Sequence, residues 1–376
     1  MANGQPPTTL AFVGSVTRPN PYYQGHNGRG LSMLRFDEAT GASDLLSETG
    51  GIDNPTFLTI DRTGQFLYAT SEVFGWHEGR VTAYRIDPVR GTLTYINAQS
   101  THGSIAAYAG IDRTGRWLLV ANYRLGPDGA RRPQSLVVFP IEPDGGIGNA
   151  TAAVSHAGTG PNPERQEGPH PHCAVASPDN RHVLVADLGI DRIMVYAFNA
   201  ANGGLAPATR PFVRLAPGSG PRHLAFHPSG RFLFVINEMA SSVTSLAWDP
   251  ATGALEPLDT QSTLPADFAG VSTCSDLNVT SDGLFLYGAN RGHDSIAIFG
   301  IDLLTGKLVP HGQHTCGGKT PRQFALDPGQ NFLLVANQDS DAVAVLARDR
   351  TTGALSDTGH RAALGTPMCV KLIRYT

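Results

Sequence analysis

His172, Arg222 and Arg322 each directly follow a proline at the start of a strand-like run. Glu238 and Arg291 each directly follow an asparagine that ends such a run. Guanidinium groups bind carboxylates and phosphates through charge-assisted hydrogen bonds, and an imidazole or a carboxylate can take up or release a proton. Brought together, these five side chains would form a pocket that binds an anion and carries its own acid or base.

Three more polar residues lie close to these five in the sequence pattern. His170 precedes His172 by two residues, His223 directly follows Arg222, and Asp276 lies at a comparable place in another segment. We predict that the catalytic residues are Glu238, His172, Arg222 and Arg291. We predict that the substrate-binding residues are His223, Arg322, Asp276 and His170.

A sequence repeat indicates which turns and strands position these residues. Each copy is a turn followed by an apolar, β-type run that ends in a small polar residue. Six copies superimpose without gaps, at 62–71, 113–122, 178–187, 228–237, 281–290 and 328–337. A seventh, at 10–15, lacks its turn. The copies recur about every 54 residues, a spacing typical of long propeller blades.

A second turn, built from an acidic residue or asparagine followed by glycine, also occurs seven times. The copies lie at 37–42, 87–92, 142–147, 199–204, 249–254, 302–307 and 349–354. Short alternating runs such as 80–87 and 294–301 lie between the two kinds of turn, so each unit holds four strands. No ten-residue stretch shows helical periodicity. The sequence therefore predicts an all-β fold, a seven-bladed β-propeller with four-stranded blades, as a single domain over 1–376.

The two ends of the chain complement each other. The N-terminal segment begins at a second strand, and the C-terminal segment 366–373 is a first strand without its partner. Completing one blade from both ends would remove two exposed sheet edges. We therefore expect strand 366–373 to join the N-terminal blade and close the ring.

The first two strands of each unit form a predicted hairpin. Symmetry about its turn places Arg222 opposite Asn237 and His172 opposite Asp187, on one rim of the sheet. Proline lacks an N–H group and is tolerated at the first residue of a strand, so the residues that follow it mark the mouth of the central channel. The equivalent positions around the ring are Thr56, Ala107, His172, Arg222, Ser275, Arg322 and Met368.

Structural roles explain some of these residues equally well on spacing alone. Arg222 and Glu238 could form an ion pair that only links two strands. His172 could hydrogen-bond Asp187 and so cap a neighbouring blade. Both interpretations stay open at this point.

Composition excludes several classes of partner. The chain has 28 Lys and Arg against 32 Asp and Glu, a net charge of −4, which does not suit nucleic acid or an anionic membrane. The first residues show no signal peptide, and the four scattered cysteines predict free thiols, so we expect a cytoplasmic protein. The predicted rim lacks the several carboxylates that calcium needs, and we expect no metal and no cofactor. A monomer or a homodimer is expected.

In sequence order, the segments "HPH", "GPRH", "VINE", "NRGHDSI", "TPR" and "LLVANQDSD" resemble those of the lactonase family of seven-bladed propellers. That family includes propeller-type 6-phosphogluconolactonases and carboxy-cis,cis-muconate cyclase. The resemblance covers essentially the whole chain and implies functional residues at His172, Arg222, Glu238 and Arg291. One departure is "CSDLNV" at 274–279, where relatives commonly read "AAEIHV".

Three functions follow as hypotheses. The first is hydrolysis of a sugar-acid lactone, such as 6-phosphogluconolactone, by a lactone hydrolase whose substrate is a small anionic lactone. Glu238 or His172 would be the general base, with Arg222 and Arg291 holding the substrate's anion and the oxyanion. The second is a cycloisomerase of the carboxymuconate type that uses the same pocket. The third is a propeller that binds a partner without catalysis.

Overall fold

A computed structural model describes residues 8–124 and 134–376 as a ring of seven four-stranded antiparallel sheets. Blade 1 contains β1 (Thr8–Ser15), β2 (Leu31–Phe36), β3 (Ser43–Thr49) and the last strand of the chain, β28 (Pro367–Tyr375). Blade 2 contains β4 (Pro55–Ile60), β5 (Phe66–Ser71), β6 (Arg80–Asp87) and β7 (Thr92–Ser100). Blade 3 contains β8 (Ser104–Ile111), β9 (Trp117–Arg124), β10 (Leu136–Pro140) and β11 (Ala152–Val154).

The other four blades follow the same plan. Blade 4 contains β12 (Pro171–Ala176), β13 (His182–Asp187), β14 (Arg192–Asn199) and β15 (Gly204–Arg214). Blade 5 contains β16 (Pro221–Phe226), β17 (Phe232–Asn237), β18 (Ser242–Asp249) and β19 (Ala254–Ser262). Blade 6 contains β20 (Thr273–Val279), β21 (Phe285–Arg291), β22 (Ser295–Ile301) and β23 (Leu308–Thr315). Blade 7 contains β24 (Pro321–Leu326), β25 (Phe332–Asn337), β26 (Ala342–Arg348) and β27 (Leu355–Ala363).

The predicted seven-bladed, all-β architecture is confirmed. Helical structure in the described ranges is limited to two 3₁₀ turns, Leu188–Ile190 and Gln338–Ser340. No helix in these ranges is long and apolar enough to cross a membrane. Residues 1–7 and 125–133 of the predicted domain lie outside the described residues.

Ring closure is also confirmed. β28 pairs antiparallel with β1 from Thr8↔Tyr375 to Ser15↔Pro367, so the two ends of the chain build blade 1 together. The first strand of each blade contacts the first strand of the next, and β28 lies in this way between β24 and β4. These seven strands line the central channel.

The core is divided among the interfaces between blades. Seven hydrophobic clusters each combine side chains from two neighbouring sheets, such as Leu233 and Trp248 of blade 5 with Leu184 of blade 4. All four cysteines are buried and unpaired, as predicted. Full burial of one large apolar side chain contributes about 1.5–3 kcal/mol, so each interface stabilises the ring.

Both kinds of repeated turn occur where the sequence places them. In the first, Gly230 has φ +69°, and Asn180 takes φ +61° at the same position of blade 4. In the second, Asp249 accepts hydrogen bonds from the backbone N–H of Ala251 at 2.9 Å and from the hydroxyl of Thr252. These turns lie at the end of the channel opposite the predicted mouth, because they join the other ends of the strands.

Candidate active site

A β-bulge lies at the mouth end of every inner strand. In blade 5, Pro221 pairs with Asn237 and His223 pairs with Ile236, which leaves Arg222 without a partner in the ladder. The predicted pairing of Arg222 with Asn237 was therefore wrong by one residue, because the bulge inserts an extra residue. The predicted pairing of His172 with Asp187 was wrong for the same reason, since Pro171 pairs with Asp187.

The bulge occurs at the same position in all seven blades. The residues left unpaired are Thr56, Ala107, His172, Arg222, Ser275 with Asp276, Arg322 and Met368. A bulge bends the strand and redirects a side chain, and bulges are common next to active sites. The column seen in the sequence is thus a ring of bulged residues around the mouth.

A cavity of about 300 Å³ opens at this mouth, and we call it the mouth pocket. Its lining residues are Tyr22, Tyr23, Glu72, Phe74, Tyr123, Glu164, Arg165, Glu167, His170, His172, Glu238, Thr273, Arg291 and Arg322. Five predicted site residues are among them: Glu238, His172, Arg291, Arg322 and His170.

Glu238 is the centre of the charge network. Its Oε1 accepts a hydrogen bond from Arg165 Nη2 at 2.6 Å, and its Oε2 accepts from Arg222 Nε at 2.9 Å. Arg291 Nη2 lies 3.0 Å from the same Oε2. Burial by itself would raise the pKa of Glu238, but Arg291, Arg222 and Arg165 outweigh it and hold that pKa well below its usual range. Glu238 is therefore a carboxylate held by three guanidinium groups.

Arg222 lies behind the wall of the mouth pocket. Its side chain is only 3% exposed and also donates to the carbonyl oxygen of Ser275. Nη1 lies 3.2 Å from Nε2 of His223. Burial and the neighbouring Arg322 and Arg291 lower the pKa of Arg222 to about 10. These contacts favour the structural interpretation of Arg222, as a support for Glu238.

His172 is a neutral imidazole in the pocket wall. Burial, then Arg222 and His223, lower its pKa well below the ordinary value. It does not cap Asp187, whose Oδ2 lies 2.6 Å from His156 Nδ1, so that alternative is wrong. Nδ1 of His172 is buried and has no hydrogen-bond partner within 8–124 and 134–376. The imidazole is thus not committed to a hydrogen bond at Nδ1, and its role as a base stays a prediction.

His170 and Arg322 border the mouth pocket in fixed positions. His170 stacks on Tyr123 with ring centroids 4.7 Å apart, and its Nδ1 lies 2.8 Å from the carbonyl oxygen of Tyr123. Arg322 lies over the ring of Tyr23, 5.0 Å from its centroid, and donates to the Tyr23 hydroxyl at 3.0 Å. Their side chains thus form part of the rim.

His223 and Asp276 lie outside the mouth pocket. Nδ1 of His223 is 2.7 Å from Oδ1 of Asp276, and both residues border a second cavity of about 230 Å³ deeper in the channel. We call it the far cavity, and its wall also includes Phe57, Tyr108 and Lys371. The two cavities lie on opposite sides of Arg222. Substrate binding by this pair stays a prediction.

Nine residues that line the mouth pocket are absent from the sequence predictions, and four of them make polar contacts in the pocket: Glu72, Tyr123, Tyr23 and Arg165. Glu72 follows Ser71 and Tyr123 follows Asn122, so both occupy the position in the repeat that Glu238 and Arg291 occupy. This signal could have found them, and Glu72 adds a second buried carboxylate to the pocket. The other two, Tyr23 and Arg165, lie in connections outside the repeat and had no signal.

Glu72 has its own partners in the pocket. Its Oε1 accepts a hydrogen bond from the Tyr23 hydroxyl, and its Oε2 accepts one from Thr56 at 2.7 Å. Burial is the main cause that raises the pKa of Tyr23, so the phenol stays protonated. No group of three or more His, Cys, Asp or Glu side chains suited to a metal ion occurs in the described ranges.

The comparisons with known proteins agree on one group of relatives. A family model described as "Lactonase, 7-bladed beta-propeller" matches residues 10–372. The chain is 34% identical over 364 residues to a 6-phosphogluconolactonase of Bacillus subtilis, covering 97% of this chain and 98% of that protein.

Two solved structures are similar along the whole chain. A periplasmic gluconolactonase of Pseudomonas aeruginosa has a TM-score of 0.88 and 33% identity, covering 97% of this chain and 99% of that one. A putative 6-phosphogluconolactonase of Bacteroides fragilis has a TM-score of 0.86 and 32% identity, covering 97% and 98%. The agreement of family model, sequence relatives and fold shows that this chain belongs to the lactonase family of seven-bladed β-propellers.

Proposed function

We propose that this protein is a carboxylic ester hydrolase that opens a sugar-acid lactone in the mouth pocket. The observation that carries the proposal is the meeting of the neutral His172 with Arg291, Arg322 and Arg165 in one cavity of about 300 Å³. Pockets for small molecules begin at about this volume and combine an enclosed space with a few convergent polar groups. Family membership supports the same class of reaction.

The proposed reaction starts with attack of water on the lactone carbonyl carbon. His172 accepts the proton of the water as the oxygen bonds to carbon, and Arg291 donates a hydrogen bond to the resulting oxyanion. The bond between the carbonyl carbon and the ring oxygen then breaks. The ring oxygen takes the proton from His172 and leaves as a hydroxyl group, which gives the open-chain hydroxy acid.

Between the two candidate bases, the contacts favour His172. Nδ1 of His172 has no hydrogen-bond partner in the described residues, whereas Glu238 already accepts hydrogen bonds on both of its oxygens. Its negative charge acts on His172 in the direction that raises the pKa of the imidazole. In this proposal, Glu238 holds the arginines in place and stabilises the imidazolium that forms during the reaction.

The number of arginines favours a second candidate, a cycloisomerase of the carboxymuconate type. Arg165, Arg291 and Arg322 could bind the several carboxylates of such a substrate, and His172 could move a proton to or from carbon. The lactonase proposal ranks first because its reaction matches the family description.

A panel of substrates tests these candidates. Wild-type protein is assayed by proton release with glucono-δ-lactone and 6-phosphoglucono-δ-lactone, and by absorbance with carboxymuconate. We expect lactone hydrolysis, reduced by about 10²-fold or more in His172→Gln. The matched control is His182→Gln, because His182 is equally buried but packs against Trp248 outside the pocket. Turnover of carboxymuconate alone would favour the cycloisomerase, and no turnover of either class would contradict both.

A further inference from the structure

Arg165 differs from the other arginines around Glu238 in exposure and in origin. Its side chain is 39% exposed, against 13% for Arg291 and 3% for Arg222. Arg222 and Arg291 project from strands of the propeller, whereas Arg165 comes from the connection between β11 and β12. Arg165 therefore reaches the network from the solvent side.

The two oxygens of Glu238 have different partners. Oε2 is held from within the propeller by Arg222 and Arg291. Among the residues that the structure describes, Arg165 is the one hydrogen-bond donor to Oε1. The same Nη2 of Arg165 also lies 3.3 Å from the hydroxyl of Tyr123. Arg165 thus covers the carboxylate oxygen that the buried arginines leave uncovered.

The backbone beside Arg165 is firmly attached. Gln166 is fully buried, and its Nε2 donates to Leu188 O and to Asp191 Oδ1, each at 2.8 Å. Asp191 in turn accepts hydrogen bonds from the backbone of Gly218 and Gly220. The base of the Arg165 side chain is therefore fixed, and only its long, flexible chain can change partner.

The surrounding charges favour an anion in this place. Burial lowers the pKa of Arg222 and of Arg291, and the cation of Arg322 lowers both further. Two carboxylates at the rim, Glu164 and Glu167, are exposed, so solvent screens them. Inside the pocket wall, the three guanidinium groups of Arg222, Arg291 and Arg322 outnumber the two buried carboxylates, Glu238 and Glu72.

We propose that Arg165 is a movable cover and an anion-binding residue. An oxyanion on the substrate, such as a phosphate, draws the guanidinium from Oε1 of Glu238 to itself. The exposed Oε1 then accepts a hydrogen bond from the attacking water or a substrate hydroxyl, and its less compensated charge strengthens His172 as a base. This proposal rests on the lactonase function above and assigns to Arg165 the recognition of the anionic group of the substrate.

Activation by a separate anion tests the cover. The rate of hydrolysis of glucono-δ-lactone, which lacks the anionic group, is measured for wild type with and without inorganic phosphate. The rate without enzyme is subtracted. We expect phosphate to raise kcat several-fold in wild type and to have no such effect in Arg165→Gln. The preference for 6-phosphoglucono-δ-lactone over glucono-δ-lactone, as the ratio of kcat/KM, falls about 10-fold or more in the variant, as expected for a lost charged hydrogen bond. The matched control is Arg181→Gln, an exposed arginine paired with Asp179 outside the pocket.

Calorimetric titration of inorganic phosphate gives an answer that does not depend on turnover. Binding should weaken about 10-fold or more in Arg165→Gln and stay unchanged in Arg181→Gln. If phosphate binds wild type and Arg165→Gln equally, or activates both equally, the proposed role of Arg165 is wrong. Failure of wild type to hydrolyse any lactone would instead overturn the proposed function, and phosphate binding would still decide whether Arg165 binds an oxyanion.

Discussion

The two ends of the central channel use the same seven strands and carry different chemistry. The mouth pocket holds three arginines, four glutamates, two histidines and three tyrosines. The far cavity holds one hydrogen-bonded pair, His223 and Asp276, beside Phe57, Tyr108 and Lys371. Arg222 and His223 are consecutive, yet His223 borders the far cavity and Arg222 supports the mouth. In a regular strand, two consecutive side chains point to opposite faces of the sheet. The bulge at Arg222 bends the strand and redirects this side chain, so that both neighbours can lie along the channel.

The connections add side chains at the mouth that the repeat does not supply. The turns that join the first and second strands at the far end are short and repeat with little change, for example 227–231 and 327–331. The mouth receives longer connections, 16–30 and 155–170, which supply Tyr23 and Arg165. A rigid scaffold with variable loops at one end is a common way to build a binding site.

Removal of 366–376 would disrupt both ends at once and has the largest expected effect. β28 supplies Met368 to the ring of bulges and Lys371 to the far cavity, and it closes the ring against β1. Loss of its buried side chains should lower Tm by about 10 °C or more, or abolish cooperative unfolding. Thermal unfolding followed by circular dichroism measures this. Removal of 374–376 alone is the control, since it leaves the pairing of 367–373 intact, and an unchanged Tm for the longer deletion would contradict the closed ring.

Glu238→Gln tests whether catalysis depends on the mouth pocket and not on the far cavity. The substitution removes the anion that three guanidinium groups share and so displaces Arg291 from the oxyanion, and we expect lactone hydrolysis to fall about 10²–10³-fold. Stability should fall as well, because buried cations lose their partner. The matched variant at the other end is Lys371→Met, whose ammonium group lies over the ring of Phe57 at 4.7 Å. We expect its kcat/KM to stay within about 3-fold of wild type, and equal losses in the two variants would mean that the far cavity takes part in catalysis.

The smallest expected effect is the pH dependence of stability due to His223. Burial, then Arg222, lower the pKa of His223 in the folded protein to about 4, against 6.5 for an ordinary histidine. Between these values the unfolded chain binds more protons, so the free energy of unfolding decreases as the pH falls from 6.5 towards 4. The slope should be on the order of 1 kcal/mol per pH unit for this one group. Denaturant titrations of wild type and His223→Gln measure it, and identical slopes for the two proteins would show that His223 titrates normally.

The sequence alone determined the fold. Two kinds of turn, one repeated six times and the other seven times, reflect local backbone requirements such as the positive φ of Gly230, and such requirements are visible in any copy of the repeat. The same periodicity aligned His172, Arg222 and Arg322 in one column, because equivalent positions of a repeat occupy equivalent places in the ring.

Tertiary structure decided what that column does. The one-residue bulge at Arg222 shifts the strand register, and no local sequence pattern predicts it. The partners of Glu238 come from three different segments of the chain, and Arg165 reaches it from a connection outside the repeat. Whether a charged residue binds substrate or only supports another depends on burial and on which neighbours take its hydrogen bonds. Those quantities exist only once the blades are assembled, since they are set by residues far apart in the chain.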